Sequence, residues 1–240
     1  MSRVSIAFFV LALSAACAKR PAAPGEKPKV FGAALLSVSG EKQAAGVGAP
    51  LDQPLVVQVN DAKGSPVAGA LVHFAGAGGV AFEFDRGLTG PDGQFTTNVA
   101  LGGMSGHYQI AASTMNPAGK PVEIRIDEVA LGYQSMLGEK INQIHCVRCH
   151  DSESTPERVS NHDNLEAAPH AFTEGAILNP MSDASLVAII AHGGAALNKS
   201  AGMPPYGNTL TKTEIDALVA YLRAVSDPPY RPQGVFYASD

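Results

Sequence analysis

The feature that most constrains this chain is a pair of cysteines two residues apart, followed at once by a histidine. Residues 146–150 read Cys-Val-Arg-Cys-His, and the 240-residue chain has one further cysteine, Cys17. Three cysteines cannot form a disulfide framework. Two thiols at this spacing can add across the two vinyl groups of haem, and the histidine that follows can then donate an axial nitrogen to the iron. The sequence therefore predicts one covalent haem c held by Cys146, Cys149 and His150.

Chance, a zinc site and a redox dithiol are the alternative explanations of these residues. A chance match is rare at the Cys and His frequencies of this chain. A zinc site needs a second pair of ligands, and because no cysteine follows, His162, His170 and His192 would have to contribute. A thioredoxin-like dithiol follows a strand in an α/β fold, whereas the surrounding sequence here has helical periodicity.

The second axial ligand must come from another part of the chain. Met203 is the best candidate, because residues 202–207 read Gly-Met-Pro-Pro-Tyr-Gly and lie between two predicted helices. The prolines stiffen this loop, so it can hold a thioether sulfur over the iron with little loss of entropy. Met181 and the three histidines named above remain alternatives, and a histidine ligand would give a lower reduction potential than a methionine.

The first 17 residues have the features of an export signal. Arg3 gives a positive start, residues 6–13 form an apolar run, and small residues then lead to Cys17. The run is too short to span a bilayer, which takes about 20 residues. A cysteine at this place resembles the acylation site of bacterial lipoproteins, with Ser14 departing from the usual pattern. The resemblance implies lipidation of Cys17, and ordinary signal cleavage nearby is the alternative.

Residues 33–128 are predicted to form an all-β sandwich, preceded by a linker rich in Pro, Ala and Lys at residues 18–32. Short runs that alternate apolar and polar residues are separated by turn formers, as is typical of a sandwich. A resemblance to bacterial Ig-like domains of the invasin and intimin type is carried by the runs PLVVQVNDAKGSPVAGALVHF, TGPDGQFTTNVALG and GHYQIAAS. The resemblance implies an Ig-like fold, and such sandwiches serve mostly as spacers and binding platforms.

Residues 132–228 show helical periodicity instead, and residues 229–240 are predicted to be an irregular tail. Three helices are predicted, over residues 132–144, 182–192 and 211–226. The last opens with a capping box formed by Thr211 and Glu214. The order of first helix, Cys-x-x-Cys-His, middle helix, Met-Pro-Pro loop and last helix resembles that of class I cytochromes c. The resemblance implies an all-α cytochrome c fold for this region, and hence a two-domain chain.

The same resemblance implies particular contacts. In that family a glycine and an aromatic residue on the first helix meet a leucine and an aromatic residue on the last. Gly138, Leu218 and Tyr221 match this pattern, whereas Asn142 stands where Phe or Tyr is usual. A carbonyl in the loop that follows the haem-binding histidine accepts its Nδ1 proton in that family, and Pro169 is the candidate here.

The sequence favours an electron-transfer protein over an enzyme. It offers no nucleophile–base pair and no pair of carboxylates for catalysis. A net charge of −5 with both signs mixed gives no basic surface for nucleic acid. With His150 and Met203 as ligands, the haem would carry single electrons between redox partner proteins in the periplasm or at the cell surface. A lipid on Cys17 would attach the chain to a membrane, and Ala18 after it implies the outer membrane by the lipoprotein resemblance.

Two other functions are consistent with the same residues. The chain can be a haem redox subunit or module of a larger oxidoreductase or peroxidase-like assembly, with the Ig-like domain as a docking platform. It can also be an adhesive or docking protein, in which the Ig-like domain binds a surface or protein partner and the haem is secondary.

Overall fold

The computed structural model describes residues 30–151 and 160–232. The predicted export signal, the predicted lipidation site Cys17, most of the linker and most of the tail lie outside the described residues. The described chain begins with a β-rich part and continues into a partly helical part. None of its helices is long and apolar enough to cross a membrane.

The β-rich part, within the described residues, is built from ten strands. They are β1 (Ala34–Ser39), β2 (Ala44–Gly46), β3 (Leu55–Asn60), β4 (Leu71–Gly76), β5 (Ala81–Phe82), β6 (Arg86–Leu88), β7 (Gln94–Thr97), β8 (Val99–Ala100), β9 (Gly106–Met115) and β10 (Pro121–Leu131). One sheet has the order β1-β3-β7, a second has the order β2-β10-β9-β4-β6, and β5 pairs with β8. All pairs are antiparallel except β2 with β10, which is parallel.

The core of the β-rich part follows from the alternation seen in the sequence. Val57 and Val59 point inward from β3 and are fully buried. Phe74 of β4 and Phe95 of β7 meet there with their ring centroids 6.0 Å apart. Gly87 of β6 makes room for this pair, because a Cβ at that position would lie 2.1 Å from the Phe95 ring. The predicted β-rich N-terminal part is therefore confirmed.

Five helices follow in the described residues. They are α1 (Tyr133–His145), α2 (Val147–His150), α3 (Gly175–Leu178), α4 (Asp183–His192) and α5 (Lys212–Val225). Ser182 caps α4 by accepting a hydrogen bond from the Ser185 N–H, and the helix ends at Gly193, whose φ is 76°. The predicted capping box of Thr211 and Glu214 opens α5. The three predicted helices are thus confirmed to within one residue at each end.

The prediction that residues 132–228 form an all-α domain is wrong. Within the described part of that region, α2 and α3 are four residues long each. Residues 160–174 and 193–211 consist of turns, short 3-10 helices and irregular chain, and a β-bridge joins Glu174 to Asp227. The second of these segments is rich in Gly, Pro, Asn and Ser, which favour turns over continued helix. The region is therefore only partly helical.

Helices α1 and α5 cross in close contact. A Cβ on Gly138 would lie 2.0 Å from the Ala217 carbonyl oxygen and 2.7 Å from Tyr221 Cβ, so the predicted contact with Tyr221 is confirmed. Leu218 is buried in the same core. Asn142, which replaces the usual aromatic residue, is buried as well, and no described residue hydrogen-bonds to its Oδ1 atom. This crossing fixes the end of α1 from which the cysteine pair follows.

The β-rich part passes into the helical part with almost no connecting chain. Gly132 alone separates β10 from α1. One helical turn later, Met136 contacts β2, because a Cβ on Gly46 would lie 3.0 Å from the Met136 sulfur. The junction is therefore both short and packed.

Candidate haem site

The end of α1 brings the two cysteines together. The Cys146 N–H donates to the Asn142 carbonyl at 2.9 Å, which completes α1. The N–H groups of Cys149 and His150 both donate to the Cys146 carbonyl at 3.0 Å, which forms the single turn α2. Residues three apart on such a turn lie on one face, so the two thiols are neighbours. Cys146 is buried and Cys149 is half-buried.

Both thiols line a cavity of about 560 Å³. That volume is within the range of roughly 300–1,000 Å³ that is usual for ligand sites. The cavity brings together all four haem-site residues predicted from the sequence: Cys146, Cys149, His150 and Met203. Most of the remaining wall is apolar: α4 and α5 contribute side chains such as Leu186, Ile190, Leu218 and Leu222, and much of the rest comes from the segments 161–172 and 194–206.

His150 is held by a hydrogen bond to the backbone. Its Nδ1 atom lies 2.8 Å from the His170 carbonyl oxygen, and its ring packs 4.7 Å from that of Phe172. Burial lowers the pKa of the His150 imidazole, although the bond to His170 opposes this. A neutral ring with its Nδ1 proton on a carbonyl presents Nε2 as a ligand. The prediction that Pro169 supplies this carbonyl is wrong by one residue: the Pro169 oxygen lies 3.2 Å from His162 Nε2 instead.

The Cys146 thiol differs from the reactive thiol of a redox dithiol. Burial raises the pKa of the Cys146 thiol to about 12. Redox dithiols of the thioredoxin type need a lowered thiol pKa. The described residues also contain no group of three or more His, Cys, Asp or Glu side chains that could hold a metal ion. The environment of Cys146 therefore does not favour either alternative.

Two glycines at the end of α4 allow the Met203 segment to pass close by. A Cβ on Gly193 would lie 2.9 Å from the Met203 carbonyl oxygen. The Gly194 N–H donates to that same oxygen at 3.0 Å. The next turn is fixed by Tyr206, whose N–H donates to the Ile190 carbonyl at 2.9 Å. The loop that carries Met203 is therefore attached to α4 on both sides of its two prolines.

The other predicted candidates for a sixth ligand are placed differently. Met181 and His170 line the cavity, whereas His162 and His192 are not among its described lining residues. Both ring nitrogens of His162 have partners, Asp163 and the Pro169 carbonyl. His170 Nδ1 lies 3.1 Å from Glu174 Oε2.

The cavity residues that were not predicted from the sequence include His145, Lys199 and Tyr206. The Tyr206 hydroxyl donates to the His145 carbonyl at 2.9 Å, and the two rings meet edge to face at 5.8 Å. This contact ties the Met203 loop to the residue before Cys146. Lys199 is the only Lys or Arg among the described lining residues. The one sequence feature that could have singled out Tyr206 is its position three residues after Met203.

Comparison with protein families gives a match at this site. Residues 134–222 match the family model described as cytochrome c oxidase, cbb3-type, subunit III. The match covers less than half of the chain and includes all four predicted haem-site residues. A comparison with curated proteins finds no match.

The solved structures similar to this chain include Ig-like domains of bacterial adhesins. The D00-D0 domain of intimin is 14% identical with a TM-score of 0.33, and covers 45% of this chain and 51% of its own. The Yersinia pseudotuberculosis adhesin InvE is 15% identical with a TM-score of 0.32, covering 40% and 31%. Invasin, described as a bacterial integrin-binding protein, is 17% identical with a TM-score of 0.29, covering 40% and 19%. This chain thus spans about half, or less, of each of these structures.

Proposed function

From the cytochrome c family match of residues 134–222, which indicates a haem-binding electron-transfer module, we propose that this protein is a monohaem c-type electron carrier that works outside the cytoplasm. Cys146 and Cys149 would attach the haem, and His150 and Met203 would ligate its iron. The observation that carries the proposal is that one largely apolar cavity is lined by these four residues, which come from two distant segments.

The residues of the cavity fit a haem. The wall offers two adjacent thiols for its vinyl groups, a neutral imidazole and a thioether for its iron, and apolar side chains for the faces of its ring. Lys199 supplies a positive charge that suits a group with carboxylate substituents. When bound, the haem supplies an iron that changes between the ferrous and ferric states by one electron.

The protein side chains set the conditions for that change. The His170 carbonyl holds the Nδ1 proton of His150, so the ring is held in one orientation. Leu186 and Leu218 are buried and keep water out of the cavity wall. Cys146 adds to this dry environment, because it is only 6% exposed. A dry, fixed site needs little reorganisation when an electron enters or leaves.

The place of action is part of the proposal. The export signal and Cys17 support a lipoprotein in the periplasm or at the cell surface, held by a lipid in the outer membrane. Redox proteins are the proposed partners, and the Ig-like part is proposed to serve as a spacer or docking platform.

A second candidate is a haem module of a larger oxidoreductase. The matching family is described as a subunit of cytochrome c oxidase, which favours work within an assembly. Under this proposal catalysis takes place in another subunit. Co-purification with such a subunit would support this candidate, whereas reversible one-electron transfer by the isolated chain supports the first.

The test is a spectrum of the protein expressed in a host that attaches haem c. Haem should remain with the protein after denaturation and acidic extraction, and replacing Cys149 by alanine should weaken this retention. Met203→Leu should abolish the low-spin six-coordinate spectrum and its weak Met-to-iron band. Met181→Leu is the matched control, because Met181 lines the same cavity and should be dispensable as a ligand. A native protein with a high-spin, five-coordinate spectrum would refute the electron-carrier proposal.

A further inference from the structure

One peptide unit beside the site has a hydrogen-bond partner at each end. The carbonyl oxygen of the peptide between His170 and Ala171 lies 2.8 Å from His150 Nδ1. The N–H of the same peptide donates to the Glu174 Oε1 atom at 2.8 Å. A carboxylate is therefore connected to the proximal histidine through a single peptide unit.

Hydrogen bonds joined in this way strengthen each other. An acceptor on the N–H of a peptide increases the negative charge on its carbonyl oxygen, which strengthens the hydrogen bond to that oxygen by about 10–30% per link. A charged acceptor has the larger effect, because charge-assisted bonds are roughly twice as strong as neutral ones. The carbonyl of His170 then draws more strongly on the Nδ1 proton of His150, which makes that ring a stronger electron donor at Nε2.

Glu174 is held in place for this role from several sides. Its Oε2 atom lies 3.1 Å from His170 Nδ1. Its neighbours are bonded to the chain after α5: the Gly175 N–H donates to the Asp227 carbonyl at 2.9 Å, and the Asp227 N–H donates to the Thr173 carbonyl at 2.8 Å. The bond from Ala171, more than any other cause, lowers the pKa of the Glu174 carboxyl, so it is ionised at neutral pH.

The direct field of this carboxylate is the weaker route to the site. The Glu174 side chain is 44% exposed, and water and salt screen charges at such positions. The effect transmitted through the hydrogen-bonded peptide is not screened in this way, because each of its two hydrogen bonds joins atoms in direct contact, with no solvent between them. The two routes therefore differ in how they respond to salt.

We propose that Glu174 is a positioning residue that acts through the 170–171 peptide to strengthen His150 as a ligand and to lower the reduction potential of the site. The inference rests on the proposed function, since it concerns the residue assigned as proximal ligand. A stronger donor stabilises the ferric state, so loss of the charge at Glu174 raises the potential.

The experiment compares the reduction potentials of the haem-loaded full chain, Glu174→Gln and Asp163→Asn. The glutamine keeps an oxygen that can accept from Ala171 and removes only the charge. Asp163→Asn is the matched control, because it removes the same charge from the same loop. Asp163 is 89% exposed and pairs with His162 rather than with the 170–171 peptide. Potentials are measured at low salt and at about 1 M salt, where the Debye length is about 3 Å.

The expected result is a higher potential for Glu174→Gln that persists at high salt, beside a small change for Asp163→Asn that salt removes. Equal changes in both variants, or a change in Glu174→Gln that salt removes, would overturn the proposal while leaving the electron-carrier function intact. Absence of covalent haem from the wild-type chain overturns both. An NMR measurement needs no variant: the Ala171 amide proton should exchange slowly in the wild-type protein, and exchange as fast as in an open chain refutes the role of Glu174.

Discussion

Replacement of Gly138 by alanine should destabilise the protein although alanine is the better helix former. The added Cβ would lie 2.0 Å from the Ala217 carbonyl oxygen, whereas real Cβ contacts essentially never fall below 3.0 Å. Because the obstacle is backbone, no side chain can rotate away, and α1 and α5 must separate by about an ångström. Overpacking of this kind typically costs 1–3 kcal/mol.

The gain in helix propensity opposes this cost. Alanine in a helix interior is better than glycine by about 1 kcal/mol. With the steric cost at the upper end of its range, the net loss is about 2 kcal/mol in the free energy of unfolding. For a chain of this size that corresponds to roughly 4–8 °C in the unfolding temperature.

Thermal unfolding of the haem-loaded protein, followed by circular dichroism, measures the effect of Gly138→Ala. Gly103→Ala is the control, because nothing lies within 4 Å of a Cβ at that position. The control should change the unfolding temperature little. If Gly138→Ala matches or exceeds the wild-type stability, the reasoning from the helix crossing is refuted.

Three further changes test other parts of the structure. Tyr206→Phe should lower stability by about 1 kcal/mol and weaken the Met-to-iron band, because it removes the bond to the His145 carbonyl; an unchanged band and stability would contradict this. Lys199→Gln should lower the reduction potential more than Lys212→Gln, because Lys199 lines the cavity while Lys212 is 84% exposed and paired elsewhere. Glu128→Gln should flatten the pH dependence of stability, because burial raises the pKa of Glu128 from 4.5 to about 8. The stability that protonated Glu128 contributes is complete below about pH 4.5. It falls by up to about 1.4 kcal/mol per pH unit as the pH rises to 8. Urea unfolding at pH 5 and pH 8 measures the difference, and a wild-type protein equally stable at both would contradict it.

The sequence predicted best those features that depend on local pattern. The alternation around Val57 and the capping box at Thr211 require only neighbouring residues, and both elements form where expected. The cysteine pair is equally local, because one helical turn after α1 is enough to bring the thiols together. Met203 could be singled out because two prolines mark its loop.

The features that depend on distant contacts were predicted less well. Whether His170 or Pro169 faces His150 depends on how the whole loop is held, and its anchor at Asp227 is more than fifty residues away in the chain. The all-α prediction failed for a related reason. The loop that contains Glu174 is held by hydrogen bonds to the chain after α5 rather than by helical periodicity, and such bonds leave no pattern in the sequence.

The single residue between β10 and α1 has a mechanical consequence. Because Gly132 is the whole connection and Met136 rests on Gly46, the junction leaves little freedom to swing. A partner that binds the β-rich part would thereby orient α1, and with it the cysteine pair at the end of that helix. For such a partner, the β-rich part would contribute orientation rather than reach. A flexible insertion at Gly132 would remove that alignment while leaving the binding of each part intact.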